Sequence, residues 1–315
     1  MEKEKSFLSV VVPVFNEQDS IQAFYKELIR CLEKITKKYE ILFVDDGSAD
    51  KTFSFLKDIQ KLNKNVYVFS FRRNLGKAEA LTFGFLKSKG DLIVTLDADL
   101  QDQPSEIELL IAKQKEGYDV VCGWRKDRKD ASKMKIISRI FNATLNAVFH
   151  LNIHDYNCGL KLYTSDAAKS LHLYGGLHRF IPVLAYEQGF RISEIPVRHE
   201  VRKFGESKYK FSKIKDIPDI FTMLFLVRYM KRPLHFFGAI GGTLSLIGFF
   251  ILSYLSGIKF FFGQSIGGRP LLFLGVLAVV VGVQIFFSGF IAELLINLSH
   301  QKQQQYPLKY PQNDN

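Results

Sequence analysis

Two long stretches near the C-terminus carry no charge, and they limit what the whole chain can be. Leu234–Ile258 and Pro270–Ala292 contain no Lys, Arg, Asp or Glu. Each exceeds the ~20 residues that a helix needs to cross a bilayer core. A pair of buried helices in a soluble protein is the alternative. Their length argues against it, as do the flanking charges Arg228, Lys231, Arg232, Lys259 and Arg269. The sequence therefore predicts two transmembrane helices, about 234–258 and 270–292, within a membrane region 233–298. Gly238, Gly241, Gly242 and Gly248 in the first span would permit close helix packing. Basic residues crowd the segment before that span, whereas the loop Lys259–Arg269 carries few. The positive-inside rule then places the N-terminal part and both termini in the cytoplasm, making this a multi-pass cytoplasmic-membrane protein.

The rest of the chain is a different material. Residues 1–210 read as a catalytic domain, 211–232 as a juxtamembrane segment and 299–315 as a polar tail. Phe211–Tyr229 mixes Lys213, Lys215 and Arg228 with Phe221, Leu224, Phe225 and Leu226, which fits an interfacial amphipathic helix or an ordinary core helix. The net charge of +11 calls for an anionic partner. No nucleic-acid recognition module is visible, so a membrane surface or a phosphorylated substrate is expected instead. Cys31, Cys122 and Cys158 are scattered, without zinc or redox spacing, as in a reducing compartment. The apolar run of the N-terminus is short and breaks at Pro13, so no signal peptide is expected.

Short apolar runs alternate with helical patterns through the first half. Phe7–Phe15, Tyr39–Val44, Val66–Phe71, Asp91–Leu96 and Asp119–Cys122 are predicted strands. Most are apolar on both faces, as buried parallel strands are. Helices are predicted at about Asp19–Lys37, Lys51–Leu62, Lys77–Lys89 and Pro104–Glu116, with Pro104 suited to a first turn and Gly90 and Gly117 to helix ends. This alternation predicts an α/β layered fold with a mainly parallel sheet, whose chemistry gathers beyond the carboxyl ends of the strands.

Polar groups collect at those ends. Asp97, Asp99 and Gln101 follow the strand Asp91–Leu96 at alternate positions. In extended chain they would turn three oxygens to one side, a set suited to Mg²⁺ or Mn²⁺ bridging a diphosphate. A solvated acidic turn would explain the same residues. Asp45-Asp46-Gly47-Ser48 ends the second strand: Gly47 allows a tight turn, and Ser48 or Asp50 can cap the next helix. Two adjacent carboxylates exceed that structural need and would suit a base or ribose. Pro13, Asn16 and Glu17 end the first strand at the same edge. Three polar clusters on three strands converge on a nucleotide site.

These residues carry a resemblance. VVPVFNE, VDDGS, RNLGKAEAL and DADLQDQP resemble family 2 glycosyltransferases, with their nucleotide-sugar-binding, Rossmann-like GT-A fold. Asn157–Tyr163, Gly176–Pro182 and Arg202–Tyr209 resemble the dolichyl-phosphate mannosyltransferase-like branch, which includes bacterial undecaprenyl-phosphate sugar transferases and also has two trailing spans. The likeness runs in order from about residue 7 to 215. It implies that Pro13, Glu17, Asp45 and Asp46 hold the base and ribose. Asp97, Asp99 and Gln101 would bind the metal, with Asp97 also facing the nucleotide and Asp99 nearest the diphosphate. Arg202 and Lys208 would clamp phosphates, or else contact the membrane surface, and Gly205 would let their loop bend. Arg125 would lie near the acceptor phosphate. Ser138, in Lys133–Arg139, matches the acceptor segment too loosely for assignment. His178, beside Arg179 at a helix start, reads as a structural hydrogen bonder rather than a base, and His154 has no assigned role.

The expected activity is inverting, metal-dependent transfer from a UDP- or GDP-hexose to a polyprenyl phosphate, undecaprenyl or dolichyl. Glucose and mannose lead the candidate sugars, ahead of N-acetylated or modified pentose sugars. A processive polysaccharide synthase would share the nucleotide site but adds a Q-x-x-R-W motif, and the only tryptophan here is Trp124. A non-catalytic membrane scaffold would not require the acidic set and the basic loop. Self-association through the spans is left open.

Overall fold

The computed structural model describes residues 6–126, 142–200 except 144 and 148, and 233–300. The chain divides into two compact units, Met1–Asp216 and Ile217–Asn315.

The first unit is built on a sheet of seven strands in the order β3-β2-β1-β4-β6-β5-β7. The strands are β1 (Leu8–Val14), β2 (Tyr39–Asp45), β3 (Val66–Ser70), β4 (Leu92–Thr95), β5 (Val120–Trp124), β6 (Lys161–Thr164) and β7 (Ile192–Pro196). Five match predicted positions to within a residue or two; β6 and β7 have no sequence-based counterpart. All neighbouring pairs are parallel except those of β6, which runs antiparallel to both β4 and β5. The sheet is thus mainly parallel with one reversed strand. Because β6 is reversed, its first residue, Lys161, lies at the same edge as the carboxyl ends of β4 and β5. The connection 155–160 is thereby delivered to that edge.

Helices α1 (Ile21–Ile35), α2 (Thr52–Leu62), α3 (Lys77–Lys87) and α4 (Ile107–Gln114) link the first strands. Pro104 opens a 3₁₀ turn, Pro104–Glu106, ahead of α4. Shorter helices α5 (Ser165–Ser170) and α6 (Ile181–Glu187) flank β6 and β7. α1 buries Ile21, Phe24, Leu28 and Leu32, one face at helical spacing, against the sheet. Val10, Val12, Ile41, Phe43 and Val94 are fully buried in the same core. Each such side chain contributes roughly 1.5–3 kcal/mol of burial, so the strand ends project from a rigid base. The strand order reverses between β1 and β4, which opens a crevice at their carboxyl ends.

The second unit is a helical hairpin of α7 (Pro233–Phe262) and α8 (Pro270–His300). Both helices are long and apolar enough to cross a membrane. They overrun the predicted spans, and Lys259 falls inside α7 rather than in the loop. Charge marks where lipid would end, whereas the helix continues as long as its hydrogen bonds do. Their seam is made of glycine at seven-residue spacing. A Cβ on Gly241 would lie 2.5 Å from the Gly282 carbonyl oxygen, and one on Gly248 would lie 2.7 Å from that of Gly275. The backbones therefore touch, as close approach in an apolar medium requires. Of the other two glycines singled out, Gly238 makes only ordinary contact with Phe286 and Gly242 faces open space. Phe249, Phe250, Phe273 and Leu277 point outward and are exposed, unlike residues of a buried helix pair.

Candidate active site

The turns after β1 and β2 are fastened to each other. Asn16 N–H donates to Ser48 Oγ (2.8 Å), and Ala49 N–H donates to Asn16 Oδ1 (2.8 Å). Glu17 N–H donates to Thr52 Oγ1 (2.8 Å). Asn16 has φ of 50°, a left-handed conformation that Asn tolerates better than most residues. Of the two residues expected as caps, Ser48 serves this inter-turn bond, and Asp50 Oδ1 accepts from Thr52 N–H (2.9 Å) at the start of α2. Glu17 accepts a bond from the Ser20 hydroxyl (2.6 Å). Pro13 belongs to β1, opposite Val44. The Val11 carbonyl bonds Leu96 N–H on the β4 side, and β1 pairs with β4 only as far as Val11. Two residues on, Pro13 turns to that side beyond the paired region, where a missing N–H costs no ladder bond.

Asp45 and Asp46 are both buried. Asp45 accepts from Ser48 N–H (3.2 Å) and from the Ser70 hydroxyl (2.6 Å). Asp46 accepts from Leu75 N–H (2.7 Å) and Gly76 N–H (2.9 Å), fixing the approach to α3. Burial pushes the Asp46 carboxyl up, with Glu79 and Asp45 adding to it, and the two N–H bonds only partly offset this. Gly47, at φ 72°, leaves no room for a side chain: a Cβ would sit 2.6 Å from the Arg73 carbonyl carbon.

Beyond β4 the chain turns, and this corrects the extended geometry assumed for Asp97, Asp99 and Gln101. Residues 98–99 form a turn, and Leu100 has φ of 61°. Asp99 Oδ1 accepts from Gln101 N–H (3.2 Å), so alternation no longer aligns the side chains. Asp97 has taken a different partner. Lys77 Nζ, in the first turn of α3, contacts both its oxygens, at 2.5 and 2.8 Å. Burial pushes the Asp97 carboxyl up, but Lys77, helped by Arg125 and Lys161, outweighs it and holds the carboxyl below its ordinary value. Gly159 makes the space: a Cβ there would lie 2.5 Å from Asp97 Oδ2 and 2.9 Å from Asp102 Oδ2. Asp102 is buried and bridges to His199, whose Nδ1 is buried, 3.5 Å from Asp102 Oδ1, and makes no hydrogen bond among the described residues.

Among the described residues, no three His, Cys, Asp or Glu side chains form a metal cage. The donor set present still fits a hard divalent ion. Mg²⁺ is commonly held by one or two carboxylates with substrate phosphates completing the shell, and Asp97 and Asp99 supply two carboxylates just past one strand.

Arg125 follows β5 and is committed to Asp155, with Nε at 2.7 Å and Nη2 at 3.0 Å from its oxygens. Burial works against the guanidinium charge, and Asp155 more than restores it. Trp124 stacks on His154 (centroids 4.2 Å apart), and His154 is paired with Glu194. Lys161 is buried, its ammonium held by the carbonyls of Tyr156 and Cys158. Burial, then the charges of Lys77 and Arg179, push His178 down to about 3, so its ring is neutral beside the Gly175 carbonyl. Arg202, Gly205, Lys208, Ser138 and the juxtamembrane segment lie outside the described residues.

Sequence reasoning missed Lys77, Asp102, Asp155 and Gly159. One signal was available for Lys77: a cation in a helix's first turn opposes the macrodipole and implies a nearby anion.

Residues 9–171 match the glycosyl transferase family 2 domain. The chain is 38% identical over 249 residues to the undecaprenyl-phosphate 4-deoxy-4-formamido-L-arabinose transferase of Edwardsiella ictaluri, covering 78% of this chain and 75% of that one. It is 35% identical over 251 residues to the dodecaprenyl-phosphate galacturonate synthase of Rhizobium johnstonii, covering 78% and 74%. Among solved structures, glucosyl-3-phosphoglycerate synthase from Mycobacterium tuberculosis, in complex with Mn²⁺, UDP and phosphoglyceric acid, shares the fold. Its TM-score is 0.53 at 18% identity, over 70% of this chain and 78% of that one. The α/β unit thus has the GT-A-like glycosyltransferase architecture, and the chain belongs to glycosyl transferase family 2.

Proposed function

We propose that this chain transfers a sugar from a nucleotide-sugar to a polyprenyl phosphate, with inversion and with Mg²⁺ or Mn²⁺. The observation that carries the reading is the pairing, in one chain, of an acidic strand-end site with two bilayer-length helices. Relatives named for undecaprenyl- or dodecaprenyl-phosphate align with 78% of its length. A polyprenyl tail stays in the bilayer, so a transferase using it works at the membrane surface. The catalytic domain then faces the cytoplasm, where nucleotide-sugars are made.

The acceptor needs no dedicated base. A phosphomonoester with a second pKa near about 6 is already largely dianionic at neutral pH. One of its oxygens attacks the anomeric carbon, the bond to the donor diphosphate breaks on the opposite face, and the nucleoside diphosphate leaves with the electron pair. His178, neutral and hydrogen-bonded to a backbone carbonyl, has no proton to take in this step. The energetic demand lies in the departing diphosphate, which preorganised positive charge stabilises. A divalent ion held by Asp97 and Asp99, with Gln101 beside them, would supply Lewis-acid neutralisation of that charge. Lys77 stands beside Asp97, and Arg202 and Lys208 are the further phosphate ligands proposed. Pro13, Glu17, Asp45 and Asp46 form the proposed nucleoside wall. Arg125, locked to Asp155, is the residue proposed to lie near the acceptor phosphate. The names of the two relatives span a modified pentose and a uronic acid, so a UDP- or GDP-linked sugar of that wider range is the donor class.

The test is transfer by the detergent-purified full chain, given polyprenyl phosphate, Mg²⁺ or Mn²⁺, and a panel of labelled UDP- and GDP-sugars. A lipid-soluble labelled product, lost on chelation and in Asp99→Ala, is expected. Folded protein that makes no such product from any donor sinks the reading.

A further inference from the structure

We propose that Lys77 is a resident counter-ion for Asp97, weakening divalent-metal binding until a donor diphosphate arrives and takes over the ammonium. The inference rests on the metal-dependent nucleotide-sugar reading above and gives Lys77 a positioning role that this reading left open.

The placement is specific. Lys77 Nζ touches both oxygens of Asp97, at 2.5 and 2.8 Å. It stands in the first turn of α3, an eleven-residue helix, where the partial positive charge of the helix end disfavours a cation. An anion must offset that, and in the donor-free chain it is Asp97. The reach is set from the other acidic turn: Asp46 binds the N–H groups of Leu75 and Gly76, and Gly76 turns the chain into α3 at φ 110°.

The pair also differs from its neighbour in a way that suits exchange. The side chains of Lys77 and Asp97 are 21% and 34% exposed, whereas those of Arg125 and Asp155 are 12% and 4% exposed. The second pair is sealed; the first is open to incoming ions. A divalent cation on Asp97 would meet the ammonium's repulsion at short range in a partly desolvated site. A diphosphate resolves the conflict, because its oxygens can accept both the metal and the lysine. Metal and nucleotide then bind with positive coupling, and the coupling is reciprocal.

The experiment measures Mn²⁺ binding to the full chain in detergent from the free-ion EPR signal, alone and with UDP or GDP. In the wild type, nucleotide should tighten Mn²⁺ binding by about tenfold or more. In Lys77→Met, Mn²⁺ alone should bind roughly tenfold tighter than to wild type, because the competing charge is gone, and the nucleotide's effect should shrink. Lys77→Arg should keep the wild-type pattern, since a guanidinium bridges two carboxylate oxygens well. Lys77→Gln, which keeps a polar head, repeats the measurement if Lys77→Met melts early. Unchanged or weaker Mn²⁺ binding in a neutral variant that melts like wild type overturns the proposal. A wild type whose Mn²⁺ binding responds to neither nucleotide overturns instead the donor-site reading beneath it, whatever the Lys77 variants do.

Discussion

Two acidic turns end the strands on either side of β1, and the structure uses them in opposite ways. Asp46, after β2, is buried and bound by backbone N–H groups, and its carboxyl is pushed up. Asp97, after β4, is one-third exposed and bound by an ammonium, and its carboxyl is held down. Neutral donors fixed in the chain make a fastening. A cation on a flexible side chain makes a contact that another cation can replace. Sequence shows two similar acidic turns; only their partners distinguish a carboxylate tied into the backbone from one that an incoming ion can reach.

The sharpest test separates activity from stability. Asp99→Ala removes a proposed metal ligand that accepts a local bond from Gln101 N–H. Loss of transfer by at least about a thousandfold, ~4 kcal/mol in the barrier, is expected, with the thermal melt nearly unchanged. Full activity in a folded Asp99→Ala protein would refute the metal assignment.

Next comes a variant that breaks a charged contact of the sealed kind. Asp155→Ala leaves the Arg125 guanidinium buried without its counter-ion, which costs about 3 kcal/mol or more of stability. Trp124 is the sole tryptophan and lies beside Arg125, so its fluorescence melt reports this loss locally. If Asp155→Ala melts as late as Lys77→Met, the distinction between sealed and exchangeable pairs fails. Asp46→Ala should fall between them, losing about 2 kcal/mol as two N–H donors lose a charged acceptor. It should also weaken donor binding, because the start of α3 carries Lys77. Normal stability there would mean that the β2 turn is not held by its carboxylate.

What was legible followed from local pattern. β1 to β5 announced themselves as apolar runs, most of them apolar on both faces, and α1 to α4 by their spacing between them. β6 and β7 did not: Lys161–Thr164 is four residues with a lysine at its head, and Ile192–Pro196 is only partly buried. Insertion of β6 between β4 and β5 is a tertiary choice with no periodic signature. In the site, carboxylates after apolar strands were visible because charge there has no use in a core. Their partners lie 20 residues away for Lys77 and Asp97 and 30 for Arg125 and Asp155, beyond any local rule. The extended reading of 97–101 failed at the turn of residues 98–99 and the left-handed Leu100 that follows it. The hairpin's existence was plain from hydropathy, but which glycines form its seam depended on which faces meet.

The smallest expected effect concerns pH, and it sets the two turns directly against each other. Asp97 is held below the ordinary carboxylate value of about 3.9, so its folded form releases protons more readily than the unfolded chain does. Its contribution to stability is present above about pH 4 and is lost as pH falls through the folded value. Asp46 is raised, so between the ordinary value and its own the folded chain holds the extra proton, and stability from this group falls as pH rises through that window. The penalty of Asp97→Asn should therefore grow from acid pH up to about 4 and then level off. The penalty of Asp46→Asn should shrink as pH climbs above about 4. Tryptophan-fluorescence melts of both variants and the wild type, in detergent across this range, read the two slopes. Slopes of the same sign would mean that burial does not outweigh the N–H bonds at Asp46, or that Lys77 does not outweigh burial at Asp97, and the contrast between the two turns would have no electrostatic basis.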